Sequence, residues 1–506
     1  MTFKSNTLAN FVGQGYAIGI ALIILPLYLR ELGAEAYGLI GFFVVLQSLL
    51  RLLDMGLSPA LGRELAHAAG LSSAVSSEMT GLVRVIERLF LLLALGAALM
   101  IWHLSSFIAT HWLHTQSLPV GVVSQCITLM GLATSLRLFS SVYSSGIQGL
   151  EHQVWLNSAN GVVATFRYVG AWSLLHWITH DPRYFFVYEL GVSLGETGLL
   201  YYGLHRLLPA AKEGKSTFTW APLAKILPFA GGVAYAAFVW IVLTQLNNLV
   251  LSNVLPLWKY GYYALVALIA NGLMSLGGPV STAVLPRMTS LFAQGSFDSM
   301  MLLYRKASQL VAVLMLPICA LVASLPREVI FGWTGDYRAA QWGAPVLMWL
   351  ALGNGLLTLG AFQYYLQYAH GKVKLHVWNS TINVLIQAPL IIFAAYHYGA
   401  YGAALTWFVL RAVSFMVWPT IVHRLYAPGL HKTWLLHDIG PILAVTGASA
   451  LLAHSLANPL AHAGRVEVLT VLSCVGLAML VVTVLASWAC RPYLFKAIAW
   501  AATAHG

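Results

Sequence analysis

The chain has 506 residues, of which 59% are hydrophobic and only 8% charged, and its formal net charge is +11 at pH 7. A soluble domain needs roughly a quarter of its residues charged to cover its surface, so lipid must solvate this one. Most of the basic residues lie in the gaps between apolar runs and they form no cluster, which excludes a nucleic-acid-binding surface.

The chain opens on Lys4 and an apolar stretch with the outline of a signal peptide. The stretch continues through Pro26 and Leu29 without a small-x-small cleavage site, so it is expected to stay as the first span. Between Ile20 and Ala66, two apolar runs flank the polar hinge Arg30-Glu31-Leu32-Gly33-Ala34-Glu35 and read as a transmembrane hairpin. Runs of this length recur to the end of the chain. They predict about fourteen spans, near 7–29, 37–58, 82–105, 119–145, 154–178, 184–207, 226–253, 260–284, 306–325, 341–366, 376–398, 401–423, 437–457 and 466–488. The longest connections, near 59–81 and 208–225, are read as cytoplasmic.

Placing Tyr37-Gly38 on Tyr260-Gly261 aligns Leu50 with Leu273, Leu53 with Leu276, Ser58 with Ser281 and Ala60 with Ala283, without a gap. The second copy begins six spans later, so both halves take the same orientation about an axis along the membrane normal. The expected fold is an all-α polytopic membrane protein of two pseudo-symmetric six-helix lobes around a central cavity, plus two C-terminal helices. Its parts are an N-terminal lobe (1–207), a cytoplasmic linker (208–225), a C-terminal lobe (226–424), and two further helices with a cytoplasmic tail (425–506). With the N-terminus inside, fifteen lysines and arginines fall on the cytoplasmic side, among them Lys212, Lys215 and Lys496, and six on the other. Both termini are therefore expected in the cytoplasm.

No large extramembrane segment is present to fold as a catalytic domain, so function is sought in ionisable residues within the spans. Arg167, Arg411 and Arg137 lie deep in the fifth, twelfth and fourth spans. The guanidinium fork suits an anionic head group such as a phosphate, and a cationic cavity is one reading. Internal ion pairs that fix helix packing are the other. Glu189 and Glu196 are seven residues apart and share a face of the sixth span. They are candidates for coupling H+ or Na+, or for neutralising Arg137 and Arg167.

Arg84, Glu87 and Arg88 are expected to pair along the third span, and Arg51 with Asp54 along the second. Gln245, Asn247 and Asn248 are read as polar glue between helices. Cys126, Cys319, Cys474 and Cys490 have no metal or redox spacing and are read as packing residues. The 17 histidines show no metal-ligand spacing, and no metal or cofactor is expected.

Several motifs in order, Leu32-Gly33-Ala34-Glu35-Ala36-Tyr37-Gly38-Leu39, Leu53-Asp54-Met55-Gly56-Leu57-Ser58, Leu246-Asn247-Asn248-Leu249-Val250-Leu251-Ser252, Phe331-Gly332-Trp333-Thr334-Gly335-Asp336 and Leu366-Gln367-Tyr368-Ala369-His370-Gly371, carry a resemblance. From about residue 6 to 424 the chain resembles bacterial oligosaccharide flippases of the polysaccharide transport family. That resemblance implies the multidrug/oligosaccharidyl-lipid/polysaccharide exporter superfamily. It also implies movement of undecaprenyl-diphosphate-linked sugar units, such as O-antigen repeats, from the inner to the outer leaflet of the bacterial inner membrane by alternating access. The partners it implies are that lipid-linked oligosaccharide, membrane lipids, a polysaccharide polymerase and other assembly proteins. The diphosphate would rest on Arg167, Arg411 and Arg137. Relatives often carry an aspartate where this chain has Asn247, which turns attention to Glu189 and Glu196 for coupling.

Two other readings are weighed. An ion-coupled multidrug exporter of the same superfamily would favour an acidic or aromatic cavity. A membrane-embedded glycan polymerase or glycosyltransferase would have to use Glu328, Asp336 and Arg338 near Pro326–Gln341.

Overall fold

The computed structural model describes residues 3–71, 77–208, 221–275, 277–460 and 463–495. Most of the expected linker, with Lys212 and Lys215, lies outside them, as do Leu276 of the repeat and Lys496. The described residues are helical almost throughout, and they divide into two compact units, Met1–Gly261 and Tyr262–Gly506.

The first unit holds α1 (Phe3–Leu50), α2 (Leu57–Leu71), α3 (Ser77–Phe107), α4 (Val120–Gly149), α5 (Gln153–Thr165), α6 (Ala171–Trp177), α7 (Pro182–Leu207) and α8 (Ala221–Val254). The unit boundary falls within α9 (Leu257–Ser275). The second unit continues with α10 (Gly278–Ala293), α11 (Phe297–Ser324), α12 (Pro326–Thr334), α13 (Tyr337–Leu359), α14 (Ala361–Ala369) and α15 (Lys374–Tyr426). It ends with α16 (Leu430–Thr433), α17 (Gly440–His454), α18 (Ala457–Leu460) and α19 (Arg465–Ala486).

Among the described residues nine helical stretches are long and apolar enough to cross a membrane. Two are double length, Ala9–Asp54 and Lys374–Tyr426, and each holds two of the expected spans. The three expected spans outside the nine fall on α5–α6, α7 and α9–α10; α5–α6 and α7 carry Arg167, Glu189 and Glu196. The chain is a multi-pass membrane protein.

Both double stretches break at a glycine with positive φ. In α1 the break is Gly33 (φ 78°), inside the expected hinge. Only a residue without Cβ adopts this conformation freely. Glu35, at the end of that hinge, turns its carboxylate to a neighbouring loop and accepts the backbone N–H groups of Gln116 (2.6 Å) and Ser117 (2.9 Å). In α15 the break is Gly399 (φ 61°). Arg411 reaches Gln387, twelve residues to the other side of Gly399. A straight helix would hold these two residues about 36 Å apart, so α15 is a helical hairpin.

The repeat acquires a physical meaning at Tyr37-Gly38 and Tyr260-Gly261. A Cβ on Gly38 would collide with the Leu257 carbonyl, and one on Gly261 with that of Ala34. The helices cross backbone to backbone at equivalent glycines, with Tyr37 and Tyr260 buried beside them.

α3 shows how this fold treats apolar sequence. Val83, Ile86, Phe90, Ala94 and Ile101 are buried, whereas Leu91, Leu92, Leu95, Leu99 and Trp102 on the other side are exposed. Such a helix has an apolar face for protein and another for lipid. The expected loop 59–81 is partly helical: Leu57, Ala60, Leu61 and Leu65 of α2 enter the core with Ile86, Val142 and Leu204. Cys126 and Cys319 are buried, Cys490 is half-buried and Cys474 exposed, all as free thiols.

Two expected pairings are replaced by contacts of longer range. Glu87 lies 3.3 Å from His205 of α7 rather than pairing with Arg84 or Arg88. Asp54 accepts the Ser58 N–H at 2.8 Å and caps α2, where the chain turns through Met55 (φ 48°) and Gly56 (φ 73°). In both cases the carboxylate meets an otherwise unpaired group of another element, a stronger demand than an exposed pair along one helix.

Candidate functional site

In the first unit the site is built from α4, α7, α1 and the turn between α5 and α6. That turn, Phe166–Gly170, is π-helical and projects Arg167. A π-turn disturbs the carbonyl ladder of the helix, and here tyrosines repair it. The Tyr188 hydroxyl donates to the Phe166 carbonyl (2.9 Å), and the Tyr28 hydroxyl lies within bonding distance of the Arg167 (3.1 Å) and Tyr168 (2.8 Å) carbonyls. Tyr188 fits only because position 170 is glycine; a Cβ there would occupy the space of its hydroxyl.

Arg137 comes from the middle of α4, which lies along α7. Its guanidinium donates to Glu189, its Nε reaches the Ser193 hydroxyl at 3.3 Å, and the Phe43 ring sits beneath it at 5.1 Å. Arg167 approaches the same oxygen, with its Nε 3.3 Å from Glu189 Oε1, and its Nη2 lies 2.5 Å from Glu196 Oε2. Glu189 and Glu196 thus share a face, as their spacing requires, and that face meets both arginines. The two arginine side chains are about one-fifth exposed (18% and 20%), the Glu189 side chain only 6%.

Of the two readings open to the sequence, the ion-paired one describes this arrangement. Two cations and two anions bury together where either pair alone would be costly. The network is not saturated, however. Glu189 Oε2 and Arg167 Nε are buried without a hydrogen-bond partner.

Arg411 belongs to the second unit and has different company. It is buried, donates to the neutral amide of Gln387 and lies 4.5 Å above the Trp407 ring. Its Nε has no hydrogen-bond partner, and among the described residues no carboxylate pairs with it. An arginine stripped of water and held by an amide and an aromatic face keeps an unneutralised charge. The structure therefore brings Arg137, Arg167, Glu189 and Glu196 together in the first unit, and in the second sets Arg411 against Gln387 and Trp407.

The remaining candidates are structural. Asn248 donates to Gln245 at 2.7 Å within α8, and Asn247 is buried with its amide oxygen unpartnered. The segment 326–341 that a polymerase would need is folded into α12 and the cap and first turn of α13. Glu328 is buried in the first turn of α12, and Asp336 accepts the N–H groups of Arg338 (2.8 Å) and Ala339 (3.0 Å). A carboxylate engaged as a helix cap is poorly placed for acid–base chemistry.

Sequence reasoning missed Tyr28, Tyr188 and Ser193, because tyrosines and serines are spread along every span and nothing local marks these. It also missed Asp438, which is fully buried and takes both hydrogen bonds of the Arg305 fork (2.7 and 2.9 Å), one from Gln309 (2.9 Å) and one from the Trp488 indole (2.8 Å). One carboxylate thereby ties α11 to the π-helical turn before α17 and to the segment after α19.

Residues 3–292 match the model of a family described as polysaccharide biosynthesis protein. Among solved structures, the chain is similar to a lipid II flippase, MurJ, in an inward closed conformation, with a TM-score of 0.69 and 13% identity over 95% of this chain and 98% of that one. It is similar to an inward-facing multidrug resistance MATE family transporter of the MOP superfamily, with a TM-score of 0.66 and 13% identity over 80% and 95% of the two chains. A mutant of the Vibrio cholerae MATE transporter VcmN gives a TM-score of 0.57 and 13% identity over 85% and 98%. At such identities the likeness is one of fold. No curated protein matches the sequence.

Proposed function

The chain belongs to the polysaccharide biosynthesis protein family, and from that premise we propose that it is a flippase for a lipid-linked oligosaccharide. The substrate would be an undecaprenyl-diphosphate-linked unit, moved from the inner to the outer leaflet of the bacterial inner membrane for O-antigen or another surface polysaccharide. The family match over residues 3–292 is the observation that carries this reading. Both termini would lie in the cytoplasm, and a polymerase would take the product on the outer face. Alternating access would move the lobe 1–207 against the lobe 226–424, with residues 425–506 outside that pair. Flipping makes and breaks no bond, so no catalytic group is required.

The diphosphate would be held by Arg411, Arg167 and Arg137, which differ in what binding costs. Arg411 offers a charge that no carboxylate has taken. Arg137 and Arg167 are already held by Glu189 and Glu196, so an arriving diphosphate must displace carboxylates. A carboxylate released into a dry cluster next to a phosphate favours its protonated form. Substrate binding and proton uptake would be linked by that exchange, which gives Glu189 and Glu196 the coupling role; Na+ at the same carboxylates is the alternative ion.

The test is leaflet exposure of a fluorescent polyprenyl-diphosphate oligosaccharide in proteoliposomes. Wild type is expected to equilibrate the probe between leaflets, and folded Arg411→Ala and Arg167→Ala protein to lose most of that exchange. Normal exchange by both variants would overturn the site. No exchange by wild type, with efflux of an organic cation instead, would establish the multidrug reading, which the likeness to MATE transporters supports.

A further inference from the structure

The second unit contains a buried chain of hydrogen bonds that the site above does not use. Gln363 Nε2 donates to the Tyr304 hydroxyl (3.2 Å), which lies 2.7 Å from His423 Nε2. His423 Nδ1 is 3.2 Å from His431 Nδ1, and His431 Nε2 is 3.1 Å from the Thr420 hydroxyl. Thr420 in turn donates to the Met416 carbonyl at 3.1 Å. Tyr304, His423 and Gln363 are fully buried, whereas His431 is partly exposed.

One set of proton positions satisfies every link. Thr420 gives its proton to the Met416 carbonyl, so His431 must donate from Nε2 and accept at Nδ1, which leaves His423 Nε2 to accept from the Tyr304 hydroxyl. His423 then carries its proton on Nδ1 and donates to His431 Nδ1, and His431 donates from Nε2 to Thr420. Both imidazoles are neutral, as opposite tautomers, and all four ring nitrogens are engaged.

The same chain has a second consistent state. A proton added at His431 Nδ1 makes that residue an imidazolium and turns it from acceptor to donor. His423 must then present a bare Nδ1 and carry its proton on Nε2, donating to Tyr304. The Tyr304 hydroxyl needs a new acceptor, and one is waiting: Gln363 Oε1 is buried without a partner. Turning the Gln363 amide over supplies it. The whole chain reverses on the uptake of one proton, and the number of unsatisfied buried groups does not rise: the Gln363 amide has one unpartnered end in each state, its oxygen before the flip and its nitrogen after.

We propose that the His423–His431 pair is a single-proton binding site, entered at His431 and closed at the other end by Gln363. His431 lines a cavity of about 840 Å³ with Leu316, Met348, Phe415, Trp434 and Leu451. The Trp434 ring lies edge-on to the His423 ring at 5.1 Å and 6.4 Å from that of His431, so it packs the pair on one side. The charged groups whose field reaches the chain are Arg424 at His431 and Asp438 at Tyr304; Asp438 is itself paired with Arg305. Two imidazoles with adjacent Nδ1 atoms cannot both be charged, which limits uptake to one. Resting on the transporter reading, the proton is a coupling ion held in the second unit, separate from the carboxylates of the first.

The test uses the full chain in nanodiscs with 15N-labelled histidine, assigned by His423→Gln and His431→Gln. In the neutral state His423 is expected as the Nδ1–H tautomer and His431 as Nε2–H. On acidification both sets of signals should change in one step, with His431 becoming imidazolium and His423 switching to Nε2–H. Gln363→Leu removes the acceptor that only the protonated state needs, and should cut the protonated fraction at a given pH by about tenfold, whereas Tyr304→Phe removes a partner of His423 in both states and should change that fraction less. Independent titration of the two rings, or an unchanged His423 tautomer, would overturn the proposal. This readout needs no substrate, so it stands or falls apart from the flippase reading. Acceleration of probe exchange by a pH gradient in wild type but not in His431→Gln would assign the proton to coupling; equal acceleration in both would remove it from that role.

Discussion

At the scale of single residues, the three arginines separate by their partners. Replacing Glu189 by Gln leaves Arg137 and Arg167 buried around one missing charge, so stability is expected to fall by about 3 kcal/mol, measured by thermal unfolding in detergent. The double variant Glu189→Gln/Arg137→Gln should recover part of that loss. Arg411→Ala should cost no stability, because it removes an uncompensated buried charge, while abolishing substrate exchange. A residue whose removal harms activity and spares the fold is there for a ligand. Outside the spans, Asp181 accepts the Arg183 N–H at 2.8 Å and caps α7. Its side-chain bond to Arg183 holds the carboxyl below the usual carboxylate range. A carboxyl depressed in this way stabilises the fold above its unfolded value, and that contribution is lost as pH falls through the folded one. Asp181→Ala should therefore cost about 1 kcal/mol near neutrality and approach nothing in strong acid, by paired unfolding measurements at the two pH values.

Helices here are shaped by their exceptions. The π-turn at Phe166–Gly170 directs Arg167 toward α7, and Gly399 folds α15 into a hairpin on which Arg411 meets Gln387. Gly399→Ala must hold a Cβ at φ 61°, ψ −148°, and is expected to cost about 1–3 kcal/mol and to loosen the Arg411–Gln387 bond. Hydrogen exchange on either side of position 399 would report it, and unchanged protection would show that the hairpin is held from elsewhere. The break lay in plain view as a gap between two apolar runs. The π-turn did not, because Phe166-Arg167-Tyr168-Val169-Gly170 reads as ordinary helix until the tyrosines that satisfy its carbonyls are in place.

Across the whole molecule, the two units are compact by different means. The first has a continuous apolar core through α2, α3, α4, α7 and α8. The second fastens its last helices with Ala320, Leu325, Val468 and Leu472 and with the buried Asp438. Asp438→Ala should unpair Arg305, Gln309 and Trp488 together, lowering stability by about 3–5 kcal/mol. Amide exchange should then rise in α17 and α19 before it rises in α13. A uniform rise across the unit would mean that these helices are not fastened separately.

Composition by itself determined the solvent of this protein, because so few charges leave no other way to cover its surface. Run length determined where the spans lie and where they break, since a membrane admits helices of one length and backbone hydrogen bonds forbid irregular chain in lipid. The order of short motifs pointed to the family that the match over residues 3–292 shows. Only the tertiary structure decided which charges meet. The seven-residue spacing put Glu189 and Glu196 on one face, but no local signal said whether that face would meet Arg137 and Arg167 or solvent. The same holds for His423 and His431, eight residues apart across a turn, which become a pair only when Tyr304 and Gln363 close around them. The reason is physical: in a membrane protein the faces toward lipid and toward protein are both apolar, so the periodicity that reveals the buried side of a soluble helix is absent, and orientation is chosen by packing.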